Sequence, residues 1–190
     1  MDIGIRADGM TTSDFENFAI EIVKKKFDNS SLHGFKEGRD DGIDGIDDIA
    51  SPSLVIQAKR WQVTKNHATA VKLLKEEIDK IALTKEKYGW KNDFNYVIVT
   101  SMGLSPANLK EIRDYADTII PNAIPTDDYI IFSSTLTTLS QHKEYSEIFI
   151  KYGLLEKDIT NVLRNIKFKN IEAESKDYFS DFDAHYFVET

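Results

Sequence analysis

Asp44, Gln57 and Lys59 bring a carboxylate, an amide oxygen and an ammonium into the short stretches Gly42-Ile-Asp-Gly45 and Gln57-Ala-Lys-Arg-Trp61. Oxygen donors of this kind suit a hard cation such as Mg²⁺ (or Mn²⁺), which prefers octahedral geometry and keeps several waters. Asp44 would supply a carboxylate oxygen, Gln57 its amide oxygen and Ala58 its main-chain carbonyl. Lys59 would hold or help deprotonate an attacking water and offset charge on a phosphate. A cation so held polarises a phosphoryl oxygen and acidifies water, so the set points to metal-assisted phosphodiester hydrolysis.

The element that must position these groups reads as a β-hairpin. Ile43, Ile46 and Ile49 lead into Ser51-Pro52-Ser53, and the chain returns through Leu54, Val55 and Ile56. Turn residues between β-branched runs are the hairpin signal. With Ala50 facing Leu54, Asp44 is expected near Arg60 and diagonal to Lys59, while Gln57 and Lys59 share one face of the return strand. The repeat Asp41-Gly-Ile-Asp-Gly-Ile-Asp47 leaves Asp47 as an alternative ligand. Asp40, Asp41, Asp47 and Asp48 also read as a solvated acidic loop.

Upstream, Ser13-Asp-Phe-Glu16 has the form of a capping box. Phe15, Phe18, Ala19, Ile22, Val23 and Phe27 then mark an amphipathic helix to about Lys26. Downstream, Ala68, Val71, Leu74, Ile78, Ile81 and Ala82 predict a long helix from Thr64 to Lys87. Its interleaved lysines and acids, Glu76, Glu77 and Asp79 among them, read as a solvated face. Phe94 to Thr100 is a continuous apolar run, the pattern of a buried central strand. Ser105 as N-cap and Pro106 at the first helical position begin another helix through Leu109, Ile112 and Ala116. A strand at Tyr129–Phe132, a short helix at Ser134–Gln141 and two helices over 143–166 separated by Gly153 complete the pattern.

Composition limits what the chain can be. The 190 residues, 41% apolar and 11% aromatic, suffice for one domain with a real core and a small appendage. No cysteine is present, which excludes disulfides and thiolate-bound zinc and fits a cytoplasmic setting. Neither a signal-peptide core nor a membrane-length apolar run occurs, so no membrane association is expected. The net charge of −8 argues against constitutive nucleic-acid binding, because affinity for DNA comes mainly from neutralising phosphates. The four histidines are isolated, and no Gly-x-x-x-x-Gly-Lys-Ser/Thr loop is present for ATP.

Gly42-Ile-Asp-Gly45 followed by Gln57-Ala-Lys-Arg-Trp61 resembles the PD-(D/E)xK nuclease signature in its Mrr-type form, with Gln in place of the second acid. The resemblance implies an α/β, restriction-endonuclease-like core: a central mixed β-sheet flanked by helices, with extra C-terminal helices. It makes Asp44 the invariant metal ligand, Gln57 the ligand at the D/E position, Lys59 the catalytic lysine and Glu16 an extra acid near the metal. Glu16 therefore carries two readings, cap and site. Tyr96-Val-Ile-Val-Thr-Ser-Met-Gly-Leu-Ser-Pro-Ala-Asn108 resembles the segment after the core in nuclease domains fused ahead of STAND-type antiphage NTPases.

The expected organisation is a nuclease domain over 1–155 and a helical extension or linker over 156–190, leading to further NTPase or sensor domains of a longer natural chain. The expected function is cleavage of double-stranded DNA by a domain that homo-oligomerisation of its parent protein brings together. The competing functions are a restriction enzyme's catalytic domain aimed at modified DNA, and a catalytically inactive scaffold.

Overall fold

The computed structural model describes residues 6–35, 42–61, 66–90 and 93–155. Helix α1 spans Thr12–Lys26 and precedes strands β1 (His33–Gly34), β2 (Gly45–Ile46) and β3 (Leu54–Lys59). Then come α2 (His67–Tyr88), β4 (Asn95–Thr100), α3 (Pro106–Ile119), β5 (Ile130–Ile131), α4 (Ser133–Ser140) and α5 (Lys143–Lys151). The sheet order is β1-β2-β3-β4-β5, antiparallel through β3 and parallel from β3 to β5. This is the mixed α/β architecture expected from the sequence. Among the described residues no helix is long and apolar enough to cross a membrane.

Strand alternation divides the core in two. Leu54, Ile56, Ala58, Val97 and Val99 face a cluster built with Phe15, Phe18 and Ile22 of α1 and Phe149 of α5. Val55, Tyr96 and Ile98 face the other cluster, with Leu74, Ile78 and Ile81 of α2 and Ile112 of α3. Each fully buried Ile, Leu or Phe contributes about 1.5–3 kcal/mol of transfer free energy. Both layers are therefore needed to hold β3 and β4 between them.

Two local expectations are corrected. The cap of α1 is Thr11, whose hydroxyl accepts the Asp14 N–H at 3.1 Å and donates to the Asp14 carboxylate at 2.7 Å. The cap thus lies two residues before Ser13, because Thr12 already has helical geometry. Glu16 then sits in the second turn, beyond the third helical position that a capping box uses.

The hairpin register is also different. Gly45 pairs with Ile56 and Ile46 with Val55, so Asp44 stands level with Gln57 rather than with Arg60. The cause is a wider loop, which the Asp47 carboxylate closes. It accepts the N–H groups of Asp48, Ser53 and Leu54 at 3.0–3.1 Å, the Ser53 hydroxyl, and the Asn29 side-chain amide. Burial alone would raise the Asp47 pKa, but these bonds outweigh it and hold the carboxyl below its ordinary value. Ile49, expected in the strand, lies in this loop and is exposed.

The other elements fall close to their predicted places. Ser105 caps α3 through a capping box with Asn108, with Pro106 in the first turn. Helix α2 starts from Asn66 and ends at Gly89, whose φ of 66° lets the chain reverse. Asp40, Asp41, the predicted helix start at Thr64, and the helix expected around Ile159, Val162 and Ile166 lie outside the described residues.

Candidate active site

Along β3 the odd-numbered side chains, Val55, Gln57 and Lys59, point to the α2 face. The main-chain groups of the even-numbered residues meet β2: Ile56 O accepts the Asp44 N–H at 3.0 Å and Leu54 O the Asp47 N–H at 3.3 Å. Strand β2 begins only at Gly45, leaving the main chain of Ala58 one step beyond the ladder. The Asp44 carboxylate fills that place, with Oδ2 accepting the Ala58 N–H at 2.6 Å and a short bond from Gln57 Nε2. The Ala58 carbonyl shares this strand edge, because the N–H and C=O of one residue point the same way across a sheet.

Gln57 is 1% exposed and Asp44 8%. The amide orientation of Gln57 follows from Asp44: turned the other way, it would set oxygen against carboxylate oxygen. Its Oε1 is left buried without a hydrogen-bond partner among the described residues. A buried acceptor so left costs about 1–3 kcal/mol, so its retention asks for an explanation.

Lys59 Nζ lies 3.4 Å from Glu77 Oε1. Glu77 also receives Lys80 Nζ at 2.8 Å, one turn along α2. This corrects the reading of Glu77 as part of a solvated face: it is 7% exposed. The signal was in the spacing, since Ala70, Leu74, Glu77, Ile81 and Thr84 form one buried stripe of α2 with an acid at its centre.

Tyr96 of β4, opposite Val55, completes the group. Its hydroxyl is fully buried and has no partner among the described residues. Burial first, and then the Glu77 and Asp44 carboxylates, push its pKa well above the ordinary tyrosine value. Both carboxylates therefore act on one spot. Gly42 forms the opposite wall with φ of 78°, and a Cβ there would meet the Lys80 stem at 3.4 Å and Gln57 Oε1 at 3.9 Å.

Glu16 belongs to α1, on the far side of the sheet. One helical turn later, Ile20 packs so closely on Gly45 that a Cβ there would sit 3.0 Å from Ile20 Cγ1. Arg60 Nη1 donates to the Asp8 carbonyl at 3.0 Å, which ties the turn before α1 to the outgoing end of β3. Glu16 lies in the second turn of α1, whose buried side chains face Leu54, Ile56 and Ala58 rather than Gln57 and Lys59. Asp44, Gln57 and Ala58 are in direct contact, whereas Lys59 is joined to Glu77.

Among the described residues no group of three or more His, Cys, Asp and Glu side chains gathers in one place. Mg²⁺ or Mn²⁺ does not need such a group, since either accepts one or two carboxylates with neutral oxygens and water. The buried, unpartnered Gln57 Oε1 beside Asp44 fits this requirement.

No curated protein and no solved structure matches the chain. A family model described as restriction endonuclease (Mrr_cat) matches residues 7–118, from the turn before α1 to the last turn of α3. The match spans more than half of the 190 residues and contains Asp44, Gln57, Lys59 and Glu77, and this chain belongs to the Mrr-type restriction endonuclease family.

Proposed function

We propose that this chain is the catalytic domain of a divalent-cation-dependent endonuclease that hydrolyses phosphodiester bonds of double-stranded DNA. The observation that carries the reading is the contact of Asp44 with Gln57 and Ala58 at the open end of β3, with Gln57 Oε1 buried beside it and Lys59 next along the strand. Asp44, Gln57 and the Ala58 carbonyl would hold Mg²⁺ or Mn²⁺, and Glu16 is the further acid assigned to the site. Bound there, the cation supplies Lewis-acid polarisation of the scissile phosphate and of the attacking water.

The protein's own groups do the rest. Lys59, whose ammonium lies 3.4 Å from Glu77 Oε1, offsets negative charge as it builds on the phosphate oxygens. The buried walls of Tyr96, Ile98 and Val55 thin the water around these charges and strengthen their interaction.

The net charge of −8 makes the isolated domain a weak DNA binder and supports activation by clustering. The likeness of Tyr96–Asn108 to domains fused ahead of STAND-type NTPases supports a cytoplasmic antiphage protein as the parent. Residues 156–190 would then lead to its NTPase and sensor domains. A modification-dependent restriction enzyme would use the same chemistry and differ only in the attached recognition domain.

The test is cleavage of supercoiled plasmid in Mg²⁺ or Mn²⁺ by the chain fused to an oligomerising scaffold. Wild type should nick and linearise the plasmid, and Asp44→Ala and Lys59→Ala should each lose at least about 100-fold in rate, the order expected when a positioned catalytic group is removed. Cleavage that persists in both variants would overturn the assignment.

A further inference from the structure

Glu77 is costly where it stands. A carboxylate in the buried stripe of α2 loses hydration, and a leucine between Leu74 and Ile81 would complete the apolar face. Among the described residues its ion-pair partners are two lysines that differ in exposure. The side chain of Lys80 is 56% exposed and that of Lys59 29%. Lys80, one turn along the same helix, neutralises Glu77 from the solvent side, whereas Lys59 comes to it from β3.

Lys59 has another carboxylate within range. The Asp44 carboxylate sits on the Ala58 N–H, between the two side chains Gln57 and Lys59 that share the α2 face. A flexible four-carbon stem reaches that far from the next residue along the strand. In a partly buried site an ammonium and a carboxylate attract more strongly than in water. A lysine left to choose would therefore settle on Asp44 and compete there with any divalent cation. Among the described residues, the ion pair that Lys59 makes is instead to Glu77.

We propose that Glu77 is the positioning residue for Lys59: its buried carboxylate draws the ammonium across to α2, so that Lys59 flanks the cation site without becoming the counter-ion of Asp44. This rests on the reading of Asp44 as a cation ligand. It separates two roles that a single carboxylate could not perform together, since Asp44 cannot both anchor the lysine and receive the cation.

The experiment measures Mn²⁺ affinity of the whole chain by calorimetry without DNA, with a thermal melt for each variant. Glu77→Gln should weaken Mn²⁺ binding roughly 10-fold or more, the scale found when a group that orients a metal site is lost. Lys59→Ala alone should raise affinity only slightly, by removing a nearby positive charge, whereas in the Glu77→Gln background it should reverse the full loss of roughly 10-fold, a non-additivity that the lysine's competition produces. Glu77→Leu, which leaves no buried charge behind, should repeat the loss and the rescue even if Glu77→Gln melts below the working temperature. Wild-type affinity in both Glu77 variants, or a loss that persists without Lys59, would overturn the proposal. Failure of the underlying reading looks different: Asp44→Asn would then bind Mn²⁺ as wild type does.

Discussion

The two faces of the sheet are built to different rules. On the α1 side, Phe15, Phe18, Ile22, Val97, Val99 and Phe149 pack without a buried charge, and Phe18 meets Phe149 edge to face at 5.2 Å. The α2 side holds a cluster of similar composition. Yet the buried polar residues Asp44, Gln57, Glu77, Thr84 and Thr100, with the unpartnered hydroxyl of Tyr96, gather there. The dry face secures the strands, and the polar face gives up stability by burying charges and open acceptors, the arrangement that the proposed site would use.

The largest effect should come from the dry face. Phe18→Ala should cost about 3–5 kcal/mol in a urea melt, because the ring is fully buried against Phe149 and Tyr152. A cost below about 1 kcal/mol, typical of a surface site, would erase the contrast between the faces.

Gln57→Glu sharpens it from the other side. The substitution removes the N–H donated to Asp44 and puts a second carboxylate against it, which should cost about 3 kcal/mol. Saturating Mn²⁺ should return much of that loss, so the rise in melting temperature with Mn²⁺ should exceed that of wild type. Equal melts with and without the ion would break the account of the site.

Asp47→Ala should cost about 1–3 kcal/mol by opening the loop that its carboxylate closes. The Asp47 pKa is lower folded than unfolded, so its contribution is full above the ordinary carboxylate range near pH 4 and is lost as pH falls through the folded value. The difference between variant and wild type should accordingly shrink in urea melts taken at successively lower pH. A gap that holds constant into acid would assign the effect to something other than ionised Asp47.

The smallest effect belongs to Tyr96→Phe. Removing a buried hydroxyl that has no partner among the described residues should stabilise the cation-free protein by up to about 1 kcal/mol. A clear loss would show that the hydroxyl is satisfied, and the polar face would be less costly than argued.

Much of this was legible in the chain. The apolar run at Phe94–Thr100 becomes β4, and Ser105-Pro106 starts α3, because burial and capping are local matters of residue type and spacing. Asp44, Gln57 and Lys59 stood out for the same reason, as chemistry in a strand context. The register did not follow, since a turn predicted from Ser51-Pro52-Ser53 gave way to one set by Asp47 and its contacts with Asn29, Ser53 and Leu54. The cap of α1 was missed by two residues because Thr11 and Ser13 are equally good acceptors in sequence.

The alternation of side chains and the residue types determined by themselves that this is an α/β chain, and that Gln57 and Lys59 share a face of one strand. Only the tertiary structure decided which carboxylate meets each of them. Asp44 reaches Gln57 because β2 begins only at Gly45 and leaves the Ala58 N–H to be filled. Glu77 reaches Lys59 because α2 crosses that face of the sheet with an acid in its buried stripe. Both pairings join elements far apart in sequence, where packing sets the distance and local pattern carries no information about it.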